Sequence, residues 1–189
     1  MKAAAIGIGS NSLRMLIADL EDGQLVHSLR YRKGLRVFAA LDEKRCISPE
    51  MIAHACESVL EFKLEAVKQN AQAIHLFATS ATRDAANQQE FMDALLDQTG
   101  LQVDVCSGDE EASLSFWGAC GKGKSGLIDI GGGSTELAVG CGKKIDDAVS
   151  LQMGAVRLFR AMPISSVEEA WQVVAAASDI IAPDRKSVV

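Results

Sequence analysis

Residues 3–9, 12–20 and 23–34 read as three successive β segments, in which Ile6 and Ile8, then Leu13, Met15 and Ile17, recur at the period of two that strands require, and Asp22-Gly23 marks a turn between the second and third segments. A β-meander is therefore predicted to open the chain. From residue 49 the period lengthens. Ile52, Ala55, Val59, Phe62 and Ala66 recur at helical spacing behind Ser48 as N-cap and Pro49 at the first helical position, which predicts a helix of about 20 residues. A strand over Ala73 to Ala78, a polar turn and a helix capped by Asn87 with Glu90 follow, then a strand from Leu101 to Cys106 and a helix from Ser107 to about Trp117. Residues 118–126, with four glycines and two lysines, read as a linker. Beyond it the opening pattern returns, with strands at about 126–130, 134–140 and 143–151 and helices at about 154–161 and 166–182. The last helix carries a Ser165/Glu168 capping box and stops before Pro183.

That return is a true internal repeat. Ile6 to Ile17 lies over Ile128 to Val139 without a gap, at a constant offset of 122 positions that sets Gly7 on Asp129, so two copies of one strand–turn–strand unit are implied. Each strand runs into a turn of small residues, where missing Cβ atoms let backbone N–H groups form a concave nest for phosphate oxygens. Two such turns are expected to clamp a phosphate chain from opposite sides. Asp129, at the strand end of the second copy, is placed to hold a hydrated Mg²⁺ ion against those oxygens.

Composition narrows the class. The longest apolar runs are too short to span a bilayer, and no signal peptide precedes the first strand, so a cytoplasmic protein with no membrane partner is expected. Five cysteines without a CxxC pair and three scattered histidines give neither a disulfide framework nor a zinc site, leaving oxygen as the ligand for any metal. A formal net charge of -6 argues against a nucleic-acid partner. Arg30, Arg32, Lys33 and Arg36 still make one locally basic stretch, read equally well as a solvated strand end or as part of an anion site.

Four stretches then carry a resemblance: Ala78-Thr79-Ser80-Ala81-Thr82-Arg83-Asp84-Ala85, Ser107-Gly108-Asp109-Glu110-Glu111-Ala112, Ile128-Asp129-Ile130-Gly131-Gly132-Gly133-Ser134-Thr135-Glu136-Leu137, and Ser150 to Leu158. In order and spacing they resemble the Ppx/GppA phosphatases (exopolyphosphatases and guanosine pentaphosphate phosphatases). The resemblance implies an α/β, actin-like (ribonuclease H-like) two-domain fold, each domain a mixed β-sheet with helices. Residues 1–122 would form the first domain and residues 123–189 the opening portion of an incomplete second. It also implies Mg²⁺-assisted hydrolysis of a terminal phosphoanhydride in polyphosphate or guanosine pentaphosphate. Glu110 would be the catalytic carboxylate, although Ser107 and Glu110 also fit a capping box. Arg83 would contact phosphate, unless it merely pairs with Asp84 or Glu90. Ser10, Asn11 and Ser12 in the first turn, and Gly131, Gly132, Gly133 and Ser134 in the second, would bind phosphate, with Asp129 on the metal. Glu136 stands open between a supporting ligand and a surface residue.

Two departures qualify these expectations. Where the family has an aspartate this chain has Gly7, so one of two expected carboxylates is absent. The second unit also has fewer elements than the first, so an uncovered edge and face are expected there, which admits a homodimer or another partner. A phosphate- or nucleotide-binding module of the same fold that has lost catalysis is the main alternative, and an ATP-dependent sugar kinase a weaker one.

Overall fold

The structure, a computed structural model, describes the backbone of residues 1–181 and the side chains of residues 1–176; Pro183, expected to end the last helix, and the tail Asp184 to Val189 lie outside the described residues. The meander forms as β1 (Lys2–Ile8), β2 (Ser12–Glu21) and β3 (Gln24–Gly34), paired antiparallel in register. Two parallel strands, β4 (Ala73–Ala78) and β5 (Val103–Val105), extend it to a mixed sheet in the order β3-β2-β1-β4-β5. The helix α1 (Pro49–Lys68) joins β3 to β4, and α2 (Ser80–Arg83) and α3 (Gln88–Thr99) join β4 to β5. The Ser48 hydroxyl accepts from the Met51 N–H, so α1 starts at the predicted cap.

One face of this sheet makes the core. Ala4, Ile6 and Ile8 of β1 point to the same side as Leu13, Met15 and Ile17 of β2, and meet Ala55, Val59 and Ala66 of α1 and Phe91 and Leu95 of α3. Burying each large side chain is worth about 1.5–3 kcal/mol, and a one-residue register slip would turn the whole set to solvent.

After β5 the chain crosses to a second sheet through α4 (Gly108–Ala119), and β6 (Lys124–Ile130), β7 (Thr135–Cys141) and β8 (Lys144–Leu151) pair in sequence order. This sheet is antiparallel throughout its described strands, without the parallel members that make the first one mixed. The helix α4 packs on β6, β7 and β8 rather than on the first sheet. Phe116 is buried against the Gly140 backbone, and a Cβ on Gly108 would meet the Ser150 side chain at 2.5 Å. By packing, α4 therefore goes with the second sheet although it precedes residue 122, the expected division. Two helices follow, α5 (Ala155–Ala161) and α6 (Val167–Ile181). The outer edge of β6 has no strand beside it among the described residues, and Ile128 and Ile130 are 71% and 70% exposed.

Three local expectations are corrected. The polar turn after β4 is the short helix α2. Asn87 does not cap α3: its side-chain amide exchanges two hydrogen bonds with the Ile47 backbone and donates to Glu90, because tertiary partners replace the free helix N–H groups. The capping box of α6 lies one residue later than predicted, between Ser166 and Glu169.

Candidate active site

The duplication seen in the sequence is a duplication of geometry. In the first copy the Gly9 N–H donates to the Ser12 carbonyl at 3.0 Å, and in the second the Gly131 N–H donates to the Ser134 carbonyl at 2.9 Å. Gly7 stands opposite Arg14 on the neighbouring strand as Asp129 stands opposite Glu136. The two turns meet. A Cβ on Gly132 would lie 3.0 Å from the Ser10 Cβ and 3.8 Å from the Asn11 Cβ, and one on Gly133 would collide with the Ser10 and Ser80 hydroxyls. Only glycine permits this approach, and it brings Ser10, Asn11, Ser80, Gly132 and Gly133 into one cluster. The Ser10 and Ser80 hydroxyls share a hydrogen bond of 2.8 Å. Ser12 and Ser134 are buried beside their turns, whereas Asn11 is exposed. Among the described residues no hydrogen bond engages the backbone N–H groups of Ser10, Asn11, Gly132 or Gly133. Four unspent donors on small residues are an anion nest.

The charged part of the site is built where α2 and α4 face each other. Arg83, at the end of α2, donates from Nη1 to the Cys106 carbonyl at 2.7 Å and to Glu111 Oε2 at 3.2 Å. It pairs with neither Asp84, which is taken by Arg157, nor Glu90. Its Nη2 is buried without a hydrogen-bond partner among the described residues. Near Glu111 lies Glu136, 2% exposed, whose carboxylate accepts from the Ser150 hydroxyl at 2.9 Å. Burial, then the nearby Glu136 carboxylate, push the Glu111 carboxyl above the ordinary range, and Arg83 and Thr79 oppose them only in part.

The two neighbouring glutamates of α4 thus have different surroundings. Glu110 is exposed and closes a capping box: it accepts from the Ser107 N–H at 2.8 Å while the Ser107 hydroxyl accepts from the Glu110 N–H. The Ser107 backbone and side chain hold its carboxyl below the ordinary range. Glu111, one residue on and about 100° round the helix, reaches the cluster of Arg83, Thr79 and Glu136. Spacing gave no signal for this, because a residue at the third helical position reads equally well as cap or catalyst.

Asp129 lies on the sheet face covered by α4 and accepts from the Ser115 hydroxyl at 2.9 Å. No three His, Cys, Asp or Glu residues converge tightly enough to cage a metal among the described residues. Mg²⁺ does not need such a cage, since it keeps several waters and commonly takes one or two carboxylates plus substrate phosphates. The oxygen chemistry of Asp129 and Glu136 and the crowding of Glu111 by Glu136 fit such a cation. At Gly7 there is no room for a carboxylate as the chain stands: a Cβ there would sit 2.6 Å from Phe77 Cζ.

The profile of the Ppx/GppA phosphatase family matches residues 16–183. The chain belongs to the Ppx/GppA phosphatase family. Over 159 residues, 81% of the chain, it is 34% identical to the guanosine-5'-triphosphate,3'-diphosphate pyrophosphatase of Vibrio cholerae, of which it covers 32%. The crystal structure of the Aquifex aeolicus member of this family superposes with a TM-score of 0.79 at 26% identity, over 97% of this chain and 62% of that one. An exopolyphosphatase from Cytophaga hutchinsonii gives a TM-score of 0.91 at 22% identity, over 100% of this chain and 63% of that one, a likeness of fold. The chain spans about a third of the length of the curated relatives it matches, 32% for the Vibrio protein. No helix among the described residues is long and apolar enough to cross a membrane.

Proposed function

We propose that this member of the Ppx/GppA family carries the phosphate-gripping core of a hydrolase that removes the terminal phosphate of inorganic polyphosphate or of guanosine pentaphosphate, the substrates to which its relatives' names point. The observation that carries the reading is the buried, unpartnered Nη2 of Arg83. An unsatisfied buried guanidinium N–H costs about 1–3 kcal/mol or more, and a phosphate oxygen is the acceptor it suits. The four free N–H groups of Ser10, Asn11, Gly132 and Gly133 supply further donors, with the Ser12 and Ser134 hydroxyls beside them.

In this reading Glu111, rather than Glu110, is the carboxylate that takes the water proton, because it alone of the two reaches the arginine and has a raised pKa nearer neutrality. The water oxygen bonds to the terminal phosphorus while the bridging P–O bond breaks. The proton passes to Glu111 and the electron pair leaves with the shortened phosphate chain. Mg²⁺ bound by Asp129 and Glu136 would neutralise charge on the phosphoryl oxygens.

Phosphate release from long-chain polyphosphate and from guanosine pentaphosphate, with and without Mg²⁺, tests the proposal. Release lost in Arg83→Gln is expected. Ligand-induced thermal stabilisation with no release in the unaltered chain would instead establish a binding module.

A further inference from the structure

Beside the clustered turns, and outside the residues assigned to catalysis, lies a second concentration of positive charge. The helix α5 reaches back from the second sheet over the segment 38–45 of the first half, and the two border an open cavity of about 290 Å³ lined by Phe38, Leu41, Asp42, Arg45, Asp84, Arg157 and Arg160. Three of these are guanidinium groups, of which Arg45 and Arg160 have no carboxylate partner among the described residues. Arg160 donates Nη1 to the Phe38 carbonyl and Nη2 to the Leu41 carbonyl, each at 2.8 Å, and makes no ion pair among the described residues. Carbonyls fix the fork and leave its full charge in place. Arg157 lies 4.8 Å from the Phe38 ring centroid, donates Nε to the Gly133 carbonyl at 2.6 Å, and shares Nη2 between Asp84 and Gln152. Its Nη1 takes no part in these contacts. The exposed side chain of Arg45 has no hydrogen bond or ion pair at all among the described residues.

Two carboxylates stand against these three cations. Asp84 is spent on Arg157, and Asp42 accepts from the Cys46 N–H at 2.7 Å, closing its own turn. The cavity keeps a net positive charge, with the Arg45 guanidinium and Nη1 of Arg157 unengaged among the described residues.

We propose that this cavity is a second phosphoryl-anion site, distinct from the Arg83–Glu111 cluster. Planar guanidinium forks held at fixed angles are the donors that match tetrahedral oxyanions. The size sets the ligand: about 290 Å³ lies at the bottom of the range for small-molecule clefts, ~300 Å³, and suits one or two phosphoryl groups rather than a nucleotide. The Phe38 ring, the aromatic wall of the cavity, is already covered by Arg157, which leaves no platform for a base. Because Arg157 also holds the Gly133 carbonyl, an anion here would brace the second phosphate-binding turn from behind.

The test is direct and needs no turnover. Inorganic tripolyphosphate is titrated calorimetrically, without divalent ions, into the Arg83→Gln protein, whose catalytic cluster is disabled. One tripolyphosphate per chain should still bind, with amide resonance shifts centred on residues 38–45 and 155–161. Adding Arg45→Glu, a change at an exposed and unbonded side chain, should weaken that binding about tenfold or more. Arg160→Gln should also weaken it. No binding to the Arg83→Gln protein, shifts confined to residues 10–12 and 131–134, or affinity within about twofold in Arg45→Glu would overturn the proposal. Comparing orthophosphate with long-chain polyphosphate on the unaltered chain identifies the source. A chain that bridges both sites gains affinity with length by effective concentration, and free phosphate does not. The site rests on its own charges, so loss of polyphosphate hydrolysis would reject the proposed activity and leave this binding intact.

Discussion

The replacement Gly7→Asp restores the residue type that the second copy of the repeat carries at Asp129, and the structure sets what it costs. A Cβ at position 7 would lie 2.6, 3.0 and 3.2 Å from Cζ, Cε2 and Cε1 of Phe77, which stands directly beside it on β4. The ring must move. It is half-buried and stacks on His75 with centroids 6.0 Å apart and planes 20° from parallel, so it can turn, at about 0.5–1.5 kcal/mol for leaving its rotamer well and a comparable amount for the lost stacking. A destabilisation of ~1–3 kcal/mol is therefore expected for Gly7→Asp, or roughly 2–4 °C of Tm per kcal/mol in a chain of this size. Phe77→Ala should relieve the clash, giving a favourable coupling of about 0.5–3 kcal/mol in the double-mutant cycle. Mg²⁺ binding followed by titration calorimetry should tighten only in Gly7→Asp/Phe77→Ala, where the carboxylate has room beside its neighbours. The reasoning is refuted if Gly7→Asp alone melts with the unaltered chain, or if it tightens Mg²⁺ as much with Phe77 in place as without it.

Other outcomes follow from the same geometry. Glu111→Gln should lower phosphate release by about 10²–10⁴-fold, whereas Glu110→Gln should leave release and melting largely intact, because glutamine also closes a capping box; steady-state rates with thermal melts separate the two. The Glu111 carboxyl has a higher pKa folded than unfolded, so its ionisation opposes folding: the penalty is absent below the unfolded value and develops as pH rises through the folded one. Glu111→Gln should then gain stability relative to the unaltered chain toward neutral pH and lose that gain in acid, as followed by urea unfolding across pH. Gly133→Ala should cost about 1–3 kcal/mol and weaken polyphosphate binding, since its methyl would enter the Ser10 and Ser80 hydroxyls; a variant with unaltered melting and affinity would show that the turns do not meet. The edge of β6, unpaired among the described residues and with Ile128 and Ile130 exposed, should bring two copies together in light scattering of dilute protein, and Ile128→Lys should return a monomer.

By itself the sequence determined the elements and the repeat. The expected strand segments became β1 to β3 and β6 to β8 within two residues of their expected ends, and Ser48-Pro49 began α1 where a cap and a fixed φ require it. Such signals are local, because strand alternation and capping depend on neighbours a few residues apart. The glycine turns and the anion chemistry of the repeat were legible for the same reason. Tertiary structure alone decided the rest. It gave α4 to the second sheet, because Gly108 and Phe116 fit Ser150 and Gly140, residues far along the chain. It turned Asn87 from a helix cap into a tie to Ile47. It also gave Glu110 and Glu111 different surroundings: one helical step leaves the first in solvent with Ser107 and carries the second to Arg83, Thr79 and Glu136. The space beside Gly7, filled by Phe77, and the unneutralised arginines over residues 38–45 belong to the same class of fact. Each arises from side chains brought together by packing across long sequence separations, where burial and unpaired charge, rather than local preference, set the chemistry.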